Sequence, residues 1–236
     1  MKKKWGGLRA LVTGGTRGIG KAIVEELQGL GVKVLFTGTK PKPGYKNYYV
    51  VDFSDSNAVE IFADAIRKEP IDILINNAGI NAIGEFEKLS LDTFKVVNTV
   101  NVIAPFLLCK AVIPYMKKKK WGRIINLSSI FGKVSKAFRA PYSASKFAID
   151  GMTAALALEV APYGILANCV APGFIQTDLT MKILGRKGIE QMIKTIPMKR
   201  TGTPEEVARF VTWLAGPDNT FITAQNIAID GGFTRG

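Results

Sequence analysis

The stretch Arg9-Ala-Leu-Val-Thr-Gly-Gly-Thr-Arg-Gly-Ile-Gly-Lys21 decides the fold. Arg9–Thr13 is a short β-run, Gly14–Gly20 a glycine-rich turn, and Lys21–Leu30 a helix with Ile23, Leu27 and Leu30 on one face and Glu25 and Glu26 off it. Strand, glycine turn and helix together suit a pyrophosphate. Glycines let the backbone come close, and the helix N-terminus offers free N–H groups and a positive dipole end. The spacing, Gly14-x-x-x-Gly18-x-Gly20, departs from the usual Gly-x-Gly-x-x-Gly fingerprint. A plain tight turn has such glycines too; Thr13 and the strand–helix context favour the cofactor reading.

The next elements bear on which nucleotide is bound. Val32–Thr37 is the second strand, and a carboxylate near its end would hold the adenosine ribose hydroxyls. The segment instead reads Thr37-Gly38-Thr39-Lys40, so Lys40, Thr39 and Arg17 are candidates for a 2′-phosphate, and NADP(H) is favoured over NAD(H). A third strand, Asn47–Val51, follows the turn cluster Pro41–Tyr45 with no room for a crossover helix. Asp52 ends it, placed either to accept the adenine amino group or to cap the helix starting near Ser56.

Composition narrows the class. The 236 residues are enough for one α/β domain, 47% apolar and 22% charged as in ordinary globular chains. No uninterrupted apolar run is long enough to predict a membrane span, and the basic N-terminus is not followed by a signal-peptide core. Cys109 and Cys169 lie in apolar runs and read as reduced core residues of a cytoplasmic protein. With no histidine, Ser-His-Asp and Cys-His catalysis and His-ligated metal sites are excluded. The formal charge of +13 attracts anions, but no nucleic-acid motif accompanies it. The Lys117–Lys120 run reads as a solvated helix end.

Ala58, Val59, Ile61, Phe62, Ala65 and Ile66 form a helical stripe, and Ile71–Ile75 is a strand running into Asn76-Asn-Ala-Gly79. Small residues and amides at a strand's carboxyl end fit the ligand crevice of open α/β sheets. A long helical segment from Ser90 to Met116 carries a polar Asn101 between valines. Arg123–Ser129 reads as a buried strand, and a helix starting near Pro141 puts Tyr142 and Lys146 on one face, one turn apart. Ser129 and Tyr142 can then meet in one cleft. Thr203-Pro-Glu-Glu206 has capping-box spacing before a last helix, and Asn226–Asp230 is the final strand.

Thr13-Gly14-x-x-x-Gly18-x-Gly20, Asn76-Asn77-Ala78-Gly79, Asn101, Ser129, Tyr142-x-x-x-Lys146 and Pro172-Gly173, in this order over nearly the whole chain, resemble the short-chain dehydrogenase/reductase family. The resemblance implies a single Rossmann-type domain over residues 1–236: a doubly wound parallel sheet of about seven strands with helices on both faces. It implies that Tyr142 is the general acid or base, that Lys146 lowers the phenol's pKa and holds the nicotinamide ribose, and that Ser129 donates to the substrate oxygen. Asn101 would hold a water in a proton relay behind Lys146. The implied cofactor set is Gly14, Thr16, Arg17, Gly18, Ile19, Gly20, Thr39, Lys40, Asp52, Phe53, Asn77, Ala78, Gly79, Tyr142, Lys146, Pro172, Gly173, Ile175 and Thr177, with no metal.

Residues 179–198 are expected to form a substrate lid, in which Met181, Ile183, Leu184, Met192 and Ile193 make an apolar pocket under Lys182, Arg186 and Lys187. Within the family the chain is most similar to 3-oxoacyl-(acyl-carrier-protein) reductases. That implies an acidic carrier protein docking near Lys120 and Arg123, and a homotetramer built on helices around 90–116 and 141–162. Tyr163 stands where those reductases commonly carry arginine, and the absent crossover helix also occurs in sugar- and polyol-acting relatives. A catalytically idle NADP-binding sensor is the alternative from another class.

Overall fold

The computed structural model describes residues 5–42, 44–45 and 47–236, with the side chains of 178–184 and 186–187 outside the description. Seven strands form one sheet: β1 (Arg9–Val12), β2 (Lys33–Gly38), β3 (Tyr48–Val50), β4 (Ile73–Asn76), β5 (Gly122–Leu127), β6 (Ile165–Pro172) and β7 (Asn226–Ile229). Their order is β3-β2-β1-β4-β5-β6-β7 and every pairing is parallel. The order reverses between β1 and β4, which opens a crevice at the carboxyl ends of those strands.

Period-two alternation builds two cores from the same strands. Leu11, Leu35, Leu74, Ile124 and Ala167 are in register on one face. Val12, Phe36, Ile75 and Ile125 are in register on the other. The helices are α1 (Gly18–Gly29), α2 (Ser56–Ile66), α3 (Leu91–Asn98), α4 (Ala104–Lys119), α5 (Ala140–Val160), α6 (Asp178–Thr195) and α7 (Pro204–Leu214). The first core takes Val59 and Phe62 of α2, Leu108 and Met116 of α4 and Ala157 of α5; the second takes Ile23 and Leu27 of α1 and Val207 and Val211 of α7. The expected doubly wound sheet is the observed one.

Several local expectations change. The stripe on α2 buries Val59, Phe62, Ala63 and Ile66, whereas Ile61 is exposed and Ala63 replaces Ala65. Its N-cap is Asp55, which accepts from the Asn57 N–H at 2.9 Å; Asp52 instead closes a local turn on Ser54. β2 and β3 pair in parallel without a crossover helix, and aromatic rings cover that edge. Tyr45 and Tyr48 each lie 5.3 Å from the Phe36 ring. The Thr203–Glu206 capping box is formed in both directions.

The segment Leu91–Lys119 is one continuous helical run with a π-turn at Thr99–Ile103. By length and composition it could cross a membrane, which the sequence alone did not lead us to expect. Here it lies on the sheet, with Val100, Leu108, Val112 and Met116 in the first core. Cys109 and Cys169 are both free and buried, as expected, and burial pushes their thiols up to about 12.

Candidate active site

The crevice is assembled from strand ends. The Thr13 hydroxyl accepts from the backbone N–H groups of Asn77 and Ala78, each at 3.0 Å, and the Asn77 amide donates back to the Thr13 carbonyl at 2.9 Å. These bonds lock the end of β1 to the end of β4. Thr37 at the end of β2 completes the frame, its hydroxyl accepting from Gly14 N–H at 3.1 Å and its carbonyl from Gly15 N–H at 2.9 Å. In the sequence Thr37 is only a strand end; its hydroxyl chemistry is the one hint of this role.

The turn so framed fits a dinucleotide diphosphate. Gly14 and Gly18 have φ of 66° and 52°, conformations that favour glycine. A Cβ on Gly20 would stand 2.2 Å from the Gly14 carbonyl oxygen and 2.4 Å from the Asn77 amide nitrogen, so the helix starts tight against the turn. Helix α1 has no side-chain cap and no acid in its first turn, which leaves its N–H groups and dipole for an anion. Thr16 packs toward Gly38, and Thr177 lies 3.4 Å from where a Gly18 Cβ would be, so the chain after β6 reaches over the turn. Ile19 is half-buried, Ile175 is buried and bridged to Gly202, and Gly173 at the end of β6 donates to the Ile229 carbonyl at 2.9 Å. Pro172 ends β6. Arg17, Thr39 and Lys40 are exposed at the open side. The Phe53 ring packs into the core 6.1 Å from Phe62, so it is not offered to a ligand.

The second half of the site lies at the end of β5. Ser129 is not in the strand but caps the short turn Ile130–Gly132, its Oγ accepting from Phe131 N–H at 3.2 Å. Helix α5 begins with Pro141 in its first turn, as the sequence pattern required, and delivers Tyr142 and Lys146 to the same place. Ser129 lies close enough to Tyr142 to lower its pKa, and the Lys146 ammonium lies 5.5 Å from the Tyr142 ring centroid. Ser128 Oγ donates to the Lys146 carbonyl at 3.2 Å, fixing α5 on β5.

The electrostatics differ from expectation. Burial raises the Tyr142 pKa above that of a free phenol, opposed by the Ser129 hydroxyl and then by the charge of Arg139. Lys146 was expected to lower it. In this structure the Lys146 amine donates to the Leu127 carbonyl at 2.7 Å, and burial pulls it down to about 8. The free protein therefore holds a neutral phenol, the form needed to give up a proton, beside a lysine that titrates near neutrality.

Asn101 is placed by the π-turn, but its side chain is already engaged. Its Oδ1 accepts from Ile80 N–H at 2.9 Å; its Nδ2 donates to the Ile80 carbonyl and to Ser145 Oγ, both at 2.9 Å. Ser145, missed in the sequence, donates on to the Tyr142 carbonyl at 2.7 Å. Asn101 thus ties the segment after Gly79 to the helix that carries Tyr142. A Gly79 Cβ would lie 3.3 Å from Asn101 Oδ1 and 3.6 Å from Lys146 Nζ, so Gly79 passes close to both.

The expected lid is helix α6, kinked where Gly185 takes φ 61°. The side chains of Met181, Lys182, Ile183, Leu184, Arg186 and Lys187 lie outside the described residues; Met192 is buried and Ile193 half-buried. Arg123, expected beside Lys120 on a docking surface, is buried. It donates to the carbonyls of Gly122, Gly164 and Asn219 and stacks 4.5 Å from the Trp121 ring.

The arrangement sets a proton donor and a hydroxyl beside a diphosphate cradle. The sequence profile of the family described as enoyl-(acyl carrier protein) reductase matches residues 14–234. The chain belongs to the short-chain dehydrogenase/reductase family. Similar curated relatives include 3-oxoacyl-[acyl-carrier-protein] reductases of Chlamydia pneumoniae, 36% identical with 97% of each chain covered, and of Aquifex aeolicus, 37% identical with 98% and 99% covered. A similar solved structure, described as a putative NAD(P)-dependent gluconate 5-dehydrogenase of Beutenbergia cavernae with NADP bound at low occupancy, is 31% identical over 97% of both chains with a TM-score of 0.90. As a family member the chain is an oxidoreductase acting on CH–OH groups and binds a nicotinamide cofactor, which supplies or accepts the hydride.

Proposed function

We propose that this chain is an NADPH-dependent reductase of 3-oxoacyl thioesters. The observation that carries the reading is the convergence of Ser129, Tyr142 and Lys146 on one point at the carboxyl edge of the sheet, beside the glycine turn. The substrate carbonyl oxygen is placed to accept from Ser129 and Tyr142, which stabilise its developing charge, and Tyr142 gives it a proton. Lys146 positions the nicotinamide ribose and re-supplies the proton, with Asn101 holding the segment after Gly79 against the helix that carries both Tyr142 and Lys146. The names of the curated relatives support the thioester substrate. The basic, acid-free end of β2, with Arg17, Thr39 and Lys40 exposed, supports NADPH over NADH.

The acyl chain is carried on an acidic carrier protein that meets the exposed lysines Lys118 and Lys120, and the enzyme works in the cytoplasm as a homotetramer. Exposed Leu91, Phe94, Ile103, Phe106, Phe147 and Leu158 on α3, the π-turn, α4 and α5 support the oligomer. A second reading, oxidation of a sugar acid or polyol, is favoured by the gluconate dehydrogenase structure and the short β2–β3 connection. Initial rates with an acetoacetyl thioester, using NADPH and NADH in parallel, test the reading. NADPH-preferring reduction that Lys40→Glu weakens is the expected result. Turnover of polyols but not of the thioester would select the second reading. Tight cofactor binding with no turnover of either would indicate the idle sensor.

A further inference from the structure

We propose that Arg139 forms an anion subsite in the cleft, holding a carboxylate on the substrate close to the carbonyl that Tyr142 protonates. The proposal rests on the reductase reading above and adds free oxo acids to the substrates the site accepts. Arg139 is the N-cap residue of α5, one turn before Tyr142, and half-buried. Its guanidinium lies 5.9 Å over the Phe131 ring, and that ring meets Tyr142 edge to face at 6.5 Å between centroids. The cation and the phenol therefore share one aromatic neighbour, and the cation favours the phenolate when Tyr142 gives up its proton.

Four other arginines are already occupied. Arg9, Arg67 and Arg200 each pair with a carboxylate, and Arg123 is bound by three carbonyls. Among the described residues Arg139 has no carboxylate partner, although burial already disfavours its charge. A partly desolvated guanidinium is stabilised most by an anion that can take its forked donors. The backbone holds it there. Phe138, just before it, takes φ 66°, unusual for a bulky residue, and its carbonyl accepts from Gly84 N–H at 3.2 Å. From Phe131 the aromatic row continues to Phe174 at 6.2 Å and on to Phe233 at 5.2 Å, an apolar wall that ends at the cation. The site thus separates a charged end of the substrate from an apolar one.

The test uses NADPH-linked reduction of acetoacetate, its neutral methyl ester and an acetoacetyl thioester by the wild type, Arg139→Met and Arg139→Lys. Arg139→Met is expected to raise KM for acetoacetate about 10- to 100-fold, the worth of a charge-assisted hydrogen bond, with kcat changed far less. The ester and thioester should keep their KM, and Arg139→Lys should recover part of the loss. An equal loss on all three substrates, or no change for acetoacetate, would overturn the subsite. A wild type that reduces the thioester but not acetoacetate would overturn it too, leaving the reductase reading intact. A wild type that reduces none of the three would overturn the reductase reading and the subsite with it.

Discussion

The two edges of the sheet use the same residue types for opposite purposes. At the amino edge, Arg123 is spent on three carbonyls, and Asp72 accepts from Arg9 N–H at 2.9 Å and pairs with Lys119. Lys117 sits 4.5 Å over the ring of Tyr163. These polar groups bind one another at the bottom of the fold, although the Nε of Arg9 and of Arg123 is left without a hydrogen-bond partner. At the carboxyl edge, about 20 Å away along β5, Arg139 is left without an acid among the described residues, Tyr142 is held neutral, and Lys146 is pulled down to about 8. Residue type does not separate structural from functional charge here. The strand end that carries the residue does, because parallel strands leave their carboxyl ends open to a ligand.

The largest effect should come from Tyr142→Phe at the carboxyl edge. Removing the proton donor is expected to cut kcat for thioester reduction by about 10²- to 10⁴-fold, while fluorescence titration shows NADPH binding weakened far less. Gly20→Ala comes next, because its methyl would overlap the Gly14 carbonyl and the Asn77 amide. Overpacking of that kind costs about 1–3 kcal/mol and should appear as weaker NADPH binding by calorimetry.

A pH profile sharpens the same contrast. Reduction should be constant below about pH 8 and fall above it as Lys146 loses its proton, and Lys146→Arg should remove that limb. The sign for stability is opposite. The unfolded chain binds the Lys146 proton more tightly, so between about 8 and the ordinary lysine value of 10.5 this group's contribution rises with pH. The smallest effect belongs to the amino edge surface. Lys120→Glu should change stability by about 0.5 kcal/mol or less and should raise KM only for a carrier-bound substrate.

Much of the fold was legible because the strands are short, apolar and mostly bounded by glycines, and because a strand–glycine turn–helix opening followed by alternating strands and helices points to a parallel sheet. Tyr142, Lys146 and Ser129 were legible through spacing, since a helix turn brings positions four apart together. Thr37, Ser145 and Arg139 were not. Their roles depend on which groups from other elements face them, and a one-dimensional pattern holds no such information. The misplacement of Arg123 has the same origin. A basic residue after a lysine run looks solvated until Gly164 and Asn219 are seen to surround its guanidinium.

The most direct measurement pairs the two arginines: unfolding free energy by denaturant titration and kcat/KM for acetoacetate, for Arg123→Met and Arg139→Met in parallel. Arg123→Met is expected to lose about 1–3 kcal/mol of stability and, while folded, to keep its kcat/KM. Arg139→Met should keep its stability and lose kcat/KM. The reverse pattern, or loss of both quantities in both variants, would contradict the division of the sheet into a structural edge and a chemical one.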